Sequence, residues 1–327
     1  MKLSNFFLAQ VIFFIAIAMV FTNCTKDNET VGTTMKGKAE FEITDAPIDD
    51  ANVQGAFVTV TAVKVDGEVI SDFSGAITID LLAYQNGNTK VLGLGEMEAG
   101  TYTNVSLVLD YEKDVNGDIP GCYVLAADNT KHSLQNSANS TGEIIINSGS
   151  FVVEENSTTK LVVDFDVRKA IKQQDSPQAD DQYNFVTEAE LNTSLRMVNK
   201  GRTGKVNGEV NDNLGQAGDR IVVYAYKKGT FTQSIETTGQ GSSSIMFKNA
   251  ETSSVVNANG NYNISFLSEG EYELYYVGYD DANNDGKMEA KGFLEVSALA
   301  SLNLLGLQLD VSADISVDVS VIAVVPF

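Results

Sequence analysis

The sequence predicts an all-β protein: two antiparallel β-sandwich modules in tandem, placed after a signal peptide and a tether. Three observations carry this expectation. Apolar and polar residues alternate with a period of two over many short stretches, as strands with one face on a core require. Turn signals such as Asn86-Gly87, Asn116-Gly117-Asp118 and Asn259-Gly260 punctuate those stretches, and these residues supply the positive φ that tight hairpins need. Helical periodicity is scarce, and the one stretch that supports a helix is short, near residues 167–173.

In chain order, the first element is residues 1–23. A basic start at Lys2 leads into an apolar run of 16 residues, 6–21, with Gln10 inside it. A bilayer span needs roughly 20 apolar residues, so the core of a signal peptide fits better. The run closes on Thr22, Asn23 and Cys24, followed at once by polar chain. That arrangement resembles a bacterial lipoprotein signal, although Phe21 and Asn23 stand where that pattern prefers Leu and Gly or Ala. The resemblance implies that Cys24 becomes the acylated first residue and that the membrane is met through a lipid anchor. Lys26 with the acids after it looks like the surface-export tag of Bacteroidota-type lipoproteins, which implies an outer-membrane, surface-exposed location. Several acyl chains at about 0.8 kcal/mol per buried methylene make such an anchor stable. Residues 24–35 are polar and serve as the tether.

The first module is expected over residues 36–199. Strand patterns recur at 57–65, 105–109 and 161–165, a Gln-, Asp- and Ser-rich stretch at 172–182 reads as a loop, and 195–198 as a closing strand. A short linker leads to the second module, 203–327, in which 236–257 reads as a Ser-, Thr- and Gly-rich mobile loop. At its end Val311, Ala313, Ile315, Val317, Val319 and Val321 alternate with Ser312, Asp314, Ser316, Asp318 and Ser320. The modules share an echo. Met97-Glu98-Ala99-Gly100-Thr101-Tyr102 precedes Asp110 as Leu267-Ser268-Glu269-Gly270-Glu271-Tyr272 precedes Asp280. Glycine permits the tight turn and the tyrosine ring is placed to cover a sandwich end.

Composition excludes several function classes. Removing residues 1–23 takes away one lysine and no acid, which leaves 21 basic against 44 acidic residues, a charge of −23. A surface this acidic does not bind nucleic acid by neutralising phosphates. The chain has two cysteines; with Cys24 lipidated, Cys122 has no disulfide partner and reads as a buried apolar thiol. His132 is the only histidine, so histidine-rich zinc sites are excluded and any nucleophilic triad would depend on it. Its polar neighbours place it on the surface.

Five separated motifs carry a resemblance for the first module: Ile43-Thr44-Asp45-Ala46-Pro47, Asp80-Leu81-Leu82, Asn86-Gly87, Ala99-Gly100-Thr101-Tyr102 and Val163-Asp164-Phe165-Asp166-Val167. In this order they resemble the DUF4382 family of exported bacterial lipoproteins, over about residues 36–198. The resemblance implies fold and location without chemistry. The second module opens on residues 204–210 and continues through Val222-Val223-Tyr224-Ala225-Tyr226, Gly260-Asn261-Tyr262 and Gly270-Glu271-Tyr272. It looks like the transthyretin-like (prealbumin-like), carboxypeptidase-regulatory-like β-sandwich, a carbohydrate-binding-like fold shared with some starch-binding modules. That likeness implies a structural or binding accessory.

Chemistry is sparse. Asp281, Asn283 and Asp285 alternate and Gly286 follows, as in the first half of an EF-hand calcium loop, where such oxygens converge on one ion. Position twelve is Gly292 rather than a bidentate Glu, which leaves Glu289 to complete a calcium site against the plainer reading of a polar hairpin turn. Asp45, Asp49 and Asp50 around Pro47 read more simply as a turn, since Asp-Ala-Pro favours extended chain and then a bend, than as a group facing a ligand. Asp164 and Asp166 share a strand face, a spacing relevant to paired carboxylates in glycoside hydrolysis. No second acid is placed across a cleft from them. Tyr272, Tyr275, Tyr276 and Tyr279 crowd one segment, and since Tyr272 and Tyr276 face one way, Tyr275 and Tyr279 are candidates for an aromatic ligand-binding surface, although core packing also accounts for them. The leading expectation is a non-enzymatic binding or adhesive accessory of the cell envelope, with an envelope protein or glycan as partner. A carbohydrate-binding surface lipoprotein for glycan capture is the alternative, and a carboxylate-only hydrolase the third.

Overall fold

The alternating stretches become strands because β-branched and aromatic side chains at every second position bury one face of an extended chain. A computed structural model describes residues 35–46, 53–73, 75–135, 142–146, 149–173, 183–282, 287–299 and 302–327. Cys24, almost all of the tether, Pro47, Asp49, Asp50, Asn283 and Asp285 lie outside the described residues. Lys36–Phe327 form one compact unit, all-β apart from short helices.

In its first half, a four-stranded sheet runs in the order Leu195–Asn199, Thr158–Asp166, Lys36–Ala46, Lys90–Glu98. The outer pairings are antiparallel, but the central one is parallel, with Thr44 opposite Asp164 and Ala46 opposite Asp166. Parallel neighbours need a long crossover, and here the intervening chain supplies it by building the second sheet. That sheet centres on the long strand Val53–Val65, flanked by Val105–Leu109, Tyr123–Ala126 and Ile77–Asp80. Phe41, Ile43, Val163 and Phe165 from one sheet meet Val58, Val60 and Leu107 from the other in the core.

The expected helix near 167–173 divides. Val167–Ala170 is helical and Ile171–Gln173 is a strand that pairs with Tyr183–Phe185. A second helix, Glu188–Thr193, starts at a Thr187/Glu190 capping box, in which the two side chains satisfy orphan backbone donors reciprocally.

The second half is one nine-stranded sheet, curled so that its strands share a core of Val206, Val223, Tyr262, Tyr272, Tyr276, Val317 and their neighbours. Among the described residues no strand before residue 200 pairs with one after it. The C-terminal alternation is realised with Val317, Val319 and Val321 buried, though as two short strands, Asp314–Ser316 and Val319–Val325, both parallel to Thr203–Asn211. The strand breaks where the Asp318 carboxylate turns to accept from Glu209 N at 2.9 Å.

The echo is a real structural repeat. Tyr102 Oη donates to the Glu98 carbonyl and Tyr272 Oη to the Ser268 carbonyl, each at 2.8 Å and each four residues back. Each ring thereby latches the turn that precedes its strand, in the manner of a tyrosine corner.

Candidate functional site

Along Thr158–Asp166, Leu161, Val163 and Phe165 point into the first core. Their alternates Val162, Asp164 and Asp166 point out of the sandwich yet are only 0%, 2% and 3% exposed. The second half of the chain contributes to covering this outer face, which makes it a seam. Arg196, opposite Asp164 in the ladder, donates to the Asp164 carboxylate from Nε at 2.9 Å and from Nη1 to the Phe266 carbonyl at 2.7 Å. Arg168 donates to Asp166 Oδ2 at 3.0 Å and to the carbonyls of Met246 and Phe247 at 2.9 and 3.1 Å. Its guanidinium also lies 5.2 Å over the Tyr224 ring. Lys169 joins the Ala250 carbonyl at 2.5 Å and Asp166 at 3.1 Å. Burial works against the Asp166 charge, but the guanidinium and ammonium beside it more than compensate and hold its pKa below the usual range. Both acids thus serve as counter-ions on one face of one strand. Asp45 differs: burial pushes its carboxyl well above the ordinary value, although Val167 N and Gln85 Nε2 donate to it at 3.1 and 3.2 Å.

A second set of contacts comes from the stretch read as a mobile loop. Residues 236–257 include the buried Glu236, Ile245, Phe247 and Ala250 and the strand Thr252–Val255. Glu236 accepts from Tyr226 Oη at 2.9 Å and from Asn249 Nδ2 at 2.5 Å, which shapes this polar segment from within. Ile245, 8% exposed, belongs to the core of the first half. Beside it Ser243 donates to Glu190 from its backbone N at 3.1 Å and its hydroxyl at 2.6 Å. Burial raises the Glu190 carboxyl, but these bonds and those from Thr187 outweigh it and bring it down to about 2.

The structure places the sequence-predicted residues as follows. Tyr272 and Tyr276 lie in the core of the second half. Tyr279 is buried on the opposite face with its hydroxyl 2.5 Å from that of Tyr224, and half-buried Tyr275 stacks on Phe231 at 3.7 Å between ring centroids. With Phe247 and Phe293, Tyr275 and Tyr279 form a third apolar layer, the packing that the sequence also allowed for them. At the hairpin, Asp281 N donates to Asp219 Oδ2 at 3.3 Å and Ala282 N to Glu289 Oε2 at 3.4 Å. Glu289 thus props the turn, while Asn283 and Asp285 lie outside the described residues. Among the described residues no three His, Cys, Asp or Glu side chains gather as metal ligands. Cys122 is buried as expected, its thiol pushed up to about 12 by desolvation. His132 is not on the surface: alternation in Lys131–Ser133 turns it inward, against the Tyr183 ring at 5.5 Å.

Where the halves meet, a cleft of about 450 Å³ opens. Arg168, Lys172, Gln173 and Tyr183 line it from the first half, and Ser243, Ser244, Phe247, Tyr279, Lys287, Met288 and Glu289 from the second. Sequence reasoning had singled out Tyr279 and Glu289 but not their meeting with residues more than a hundred positions away. The capping box at Thr187 and Glu190 was the one local signal within reach.

The fold and seam define a β-sandwich protein with a cleft between its halves. The family model described as "Domain of unknown function (DUF4382)" matches residues 36–201, and the chain belongs to that family. No curated protein sequence matches it. Among solved structures it is similar to the Bacillus anthracis TIE protein at 11% identity and a TM-score of 0.20, covering 87% of this chain and 34% of that one. The chain thus spans about a third of that protein's length. It is also similar to BcpA, the major pilin subunit of Bacillus cereus, at 9% identity and a TM-score of 0.21, covering 87% and 70% of the two chains. For a putative adhesin from Bacteroides ovatus the identity is 10%, the TM-score 0.20 and the coverage 87% and 88%. The fold assignment rests on the strand pairing described above.

Proposed function

We propose that this chain is a non-enzymatic binding or adhesive accessory of the cell envelope, held at the outer membrane by lipid on Cys24 and displayed at the surface. The observation that carries the reading is the seam. Two sandwiches are joined by Ile245 in a foreign core and by Arg168, Lys169, Arg196 and Glu190 reaching across. Such a joint suits a rigid body that presents a surface and a cleft, because buried charge pairs fix register more than they add net stability. The acids with spacing of interest for hydrolysis, Asp164 and Asp166, are occupied in that joint.

Fractionation of cells carrying the Cys24→Ala chain tests the location: loss from the membrane fraction is expected, and retention there contradicts the anchor. A glycan and envelope-protein array with the full chain tests the binding role. Saturable capture of a component supports it, and a complete blank contradicts it.

A further inference from the structure

One loop of the first half is built to protrude. Residues 112–120 lie between the strands Val105–Leu109 and Tyr123–Ala126. Val115 and Ile119 are 53% and 75% exposed there, the second being the largest value for any large apolar side chain among the described residues. Single exposed apolar residues are ordinary, but these two share a braced loop. Asp114 Oδ1 accepts from Asn116 N and Asp118 N at 2.8 and 2.9 Å, the Asp118 carbonyl accepts from Asp114 N at 2.9 Å, and Val115 N donates to Thr78 Oγ1 at 2.9 Å. A preordered loop loses little entropy when it docks. Beside the apolar pair stand Glu112, Lys113 and Asp118, whose charged groups have no ionic partner among the described residues.

A groove of about 1170 Å³ opens at the opposite end of the same sandwich, beside the start of Thr158–Asp166. Its apolar walls are Val152 from the first half and Val311 from the second, 50% and 43% exposed. Arg202, Glu154 and Glu269 also line it, exposed and without an ionic partner among the described residues. Lys160 and Lys200 line it too, but Glu40 and Glu42 already meet their charge. The loop sits at the far end of that strand, because the Tyr111 ring lies 5.8 Å from Phe185, itself 6.5 Å from Phe165. Extended chain at about 3.3 Å per residue puts Phe165 roughly 23 Å from Thr158.

We infer that the loop of one copy seats in the groove of the next, with Val115 and Ile119 against Val152 and Val311, Arg202 facing Glu112 or Asp118, and Lys113 facing Glu154 or Glu269. Loop and groove are different surfaces at opposite ends, so the contact is heterologous and repeats head to tail into an open chain instead of closing as a symmetric dimer. This self-association goes beyond the binding-accessory reading and does not rest on it. One loop in one groove is a small interface, for which a Kd of about 10–100 μM is expected. Sedimentation equilibrium of the full chain in density-matched detergent, with micelles in excess and protein from about 1 μM to 1 mM, tests it. The mean mass should rise with concentration past that of a dimer. Ile119→Asp and Val311→Asp should each weaken association about tenfold or more, with unchanged thermal midpoints because both side chains are exposed. In an equimolar mixture of the two variants, the intact loop of the Val311→Asp chain fits the intact groove of the Ile119→Asp chain, so dimers should return and growth should stop there. A wild-type chain that stays monomeric, a wild-type mass that saturates at the dimer, association that survives either substitution, or a mixture that stays monomeric overturns the inference. Capture of an array component by a chain that stays monomeric overturns it and leaves the accessory reading standing; a blank array with concentration-dependent chains does the reverse.

Discussion

Two sheets in this molecule are buried on the face that points away from their sandwich core, and they are covered in opposite ways. Over Thr158–Asp166 the outer face carries Val162, Asp164 and Asp166, and Arg196, Arg168 and Lys169 balance its charges. Over Arg220–Lys227 and Gly270–Asp280 the outer face carries Val222, Tyr224, Tyr226, Val277 and Tyr279, covered by Phe231, Phe247 and Phe293. The ring layer gains by non-directional removal of apolar area from water. The charged face gains little net energy but is intolerant of losing one member, because an unpaired buried ion is left behind. The difference teaches that these two faces should answer mutation differently.

The largest effect is expected at the charged face. Arg168→Ala strands most of the Asp166 charge and frees two carbonyls, and should cost about 3–5 kcal/mol in denaturant unfolding; a loss under about 1 kcal/mol would mean that Lys169 alone suffices. Ile245→Ala removes apolar volume from the first core by way of the second half, and should cost about 2–4 kcal/mol. Glu190→Gln should cost about 1–3 kcal/mol at neutral pH through its weakened bonds to Ser243 and Thr187. Here the sign follows from a carboxyl held down at about 2 against an ordinary 4.5: the stability it contributes is whole above about 4.5 and fades as pH falls toward 2. The wild-type advantage over Glu190→Gln, measured by thermal unfolding, should shrink across that window, and a constant gap would contradict the assignment. At the ring layer Tyr279→Phe keeps the packing and removes the bond to Tyr224, for a loss of about 1 kcal/mol.

Much of the fold was legible because strand alternation and turn chemistry are local. The 317–321 alternation, the tyrosine echo and the Cys122 environment were all readable from neighbouring residues. The parallel pairing of Lys36–Ala46 with Thr158–Asp166 was not, since register between distant strands leaves no local trace. Nor was the cover over the outer faces: Asp164 and Asp166 read only as two carboxylates on one strand face, and the contacts of Arg196 and Arg168 with segments beyond residue 240 leave no local trace. His132 was misjudged for the same reason, its polar neighbours hiding a ring that packs on Tyr183. The cleft draws on five separated segments, so no motif could announce it.

The central claim, that the seam makes the two halves one body, is tested most directly by native-state hydrogen exchange read by mass spectrometry in rising denaturant. The slowest amides of Thr158–Asp166 and Arg220–Lys227 should converge on one unfolding isotherm, and Arg168→Ala should shift both together. Two separate isotherms, with the substitution moving only one, would contradict it.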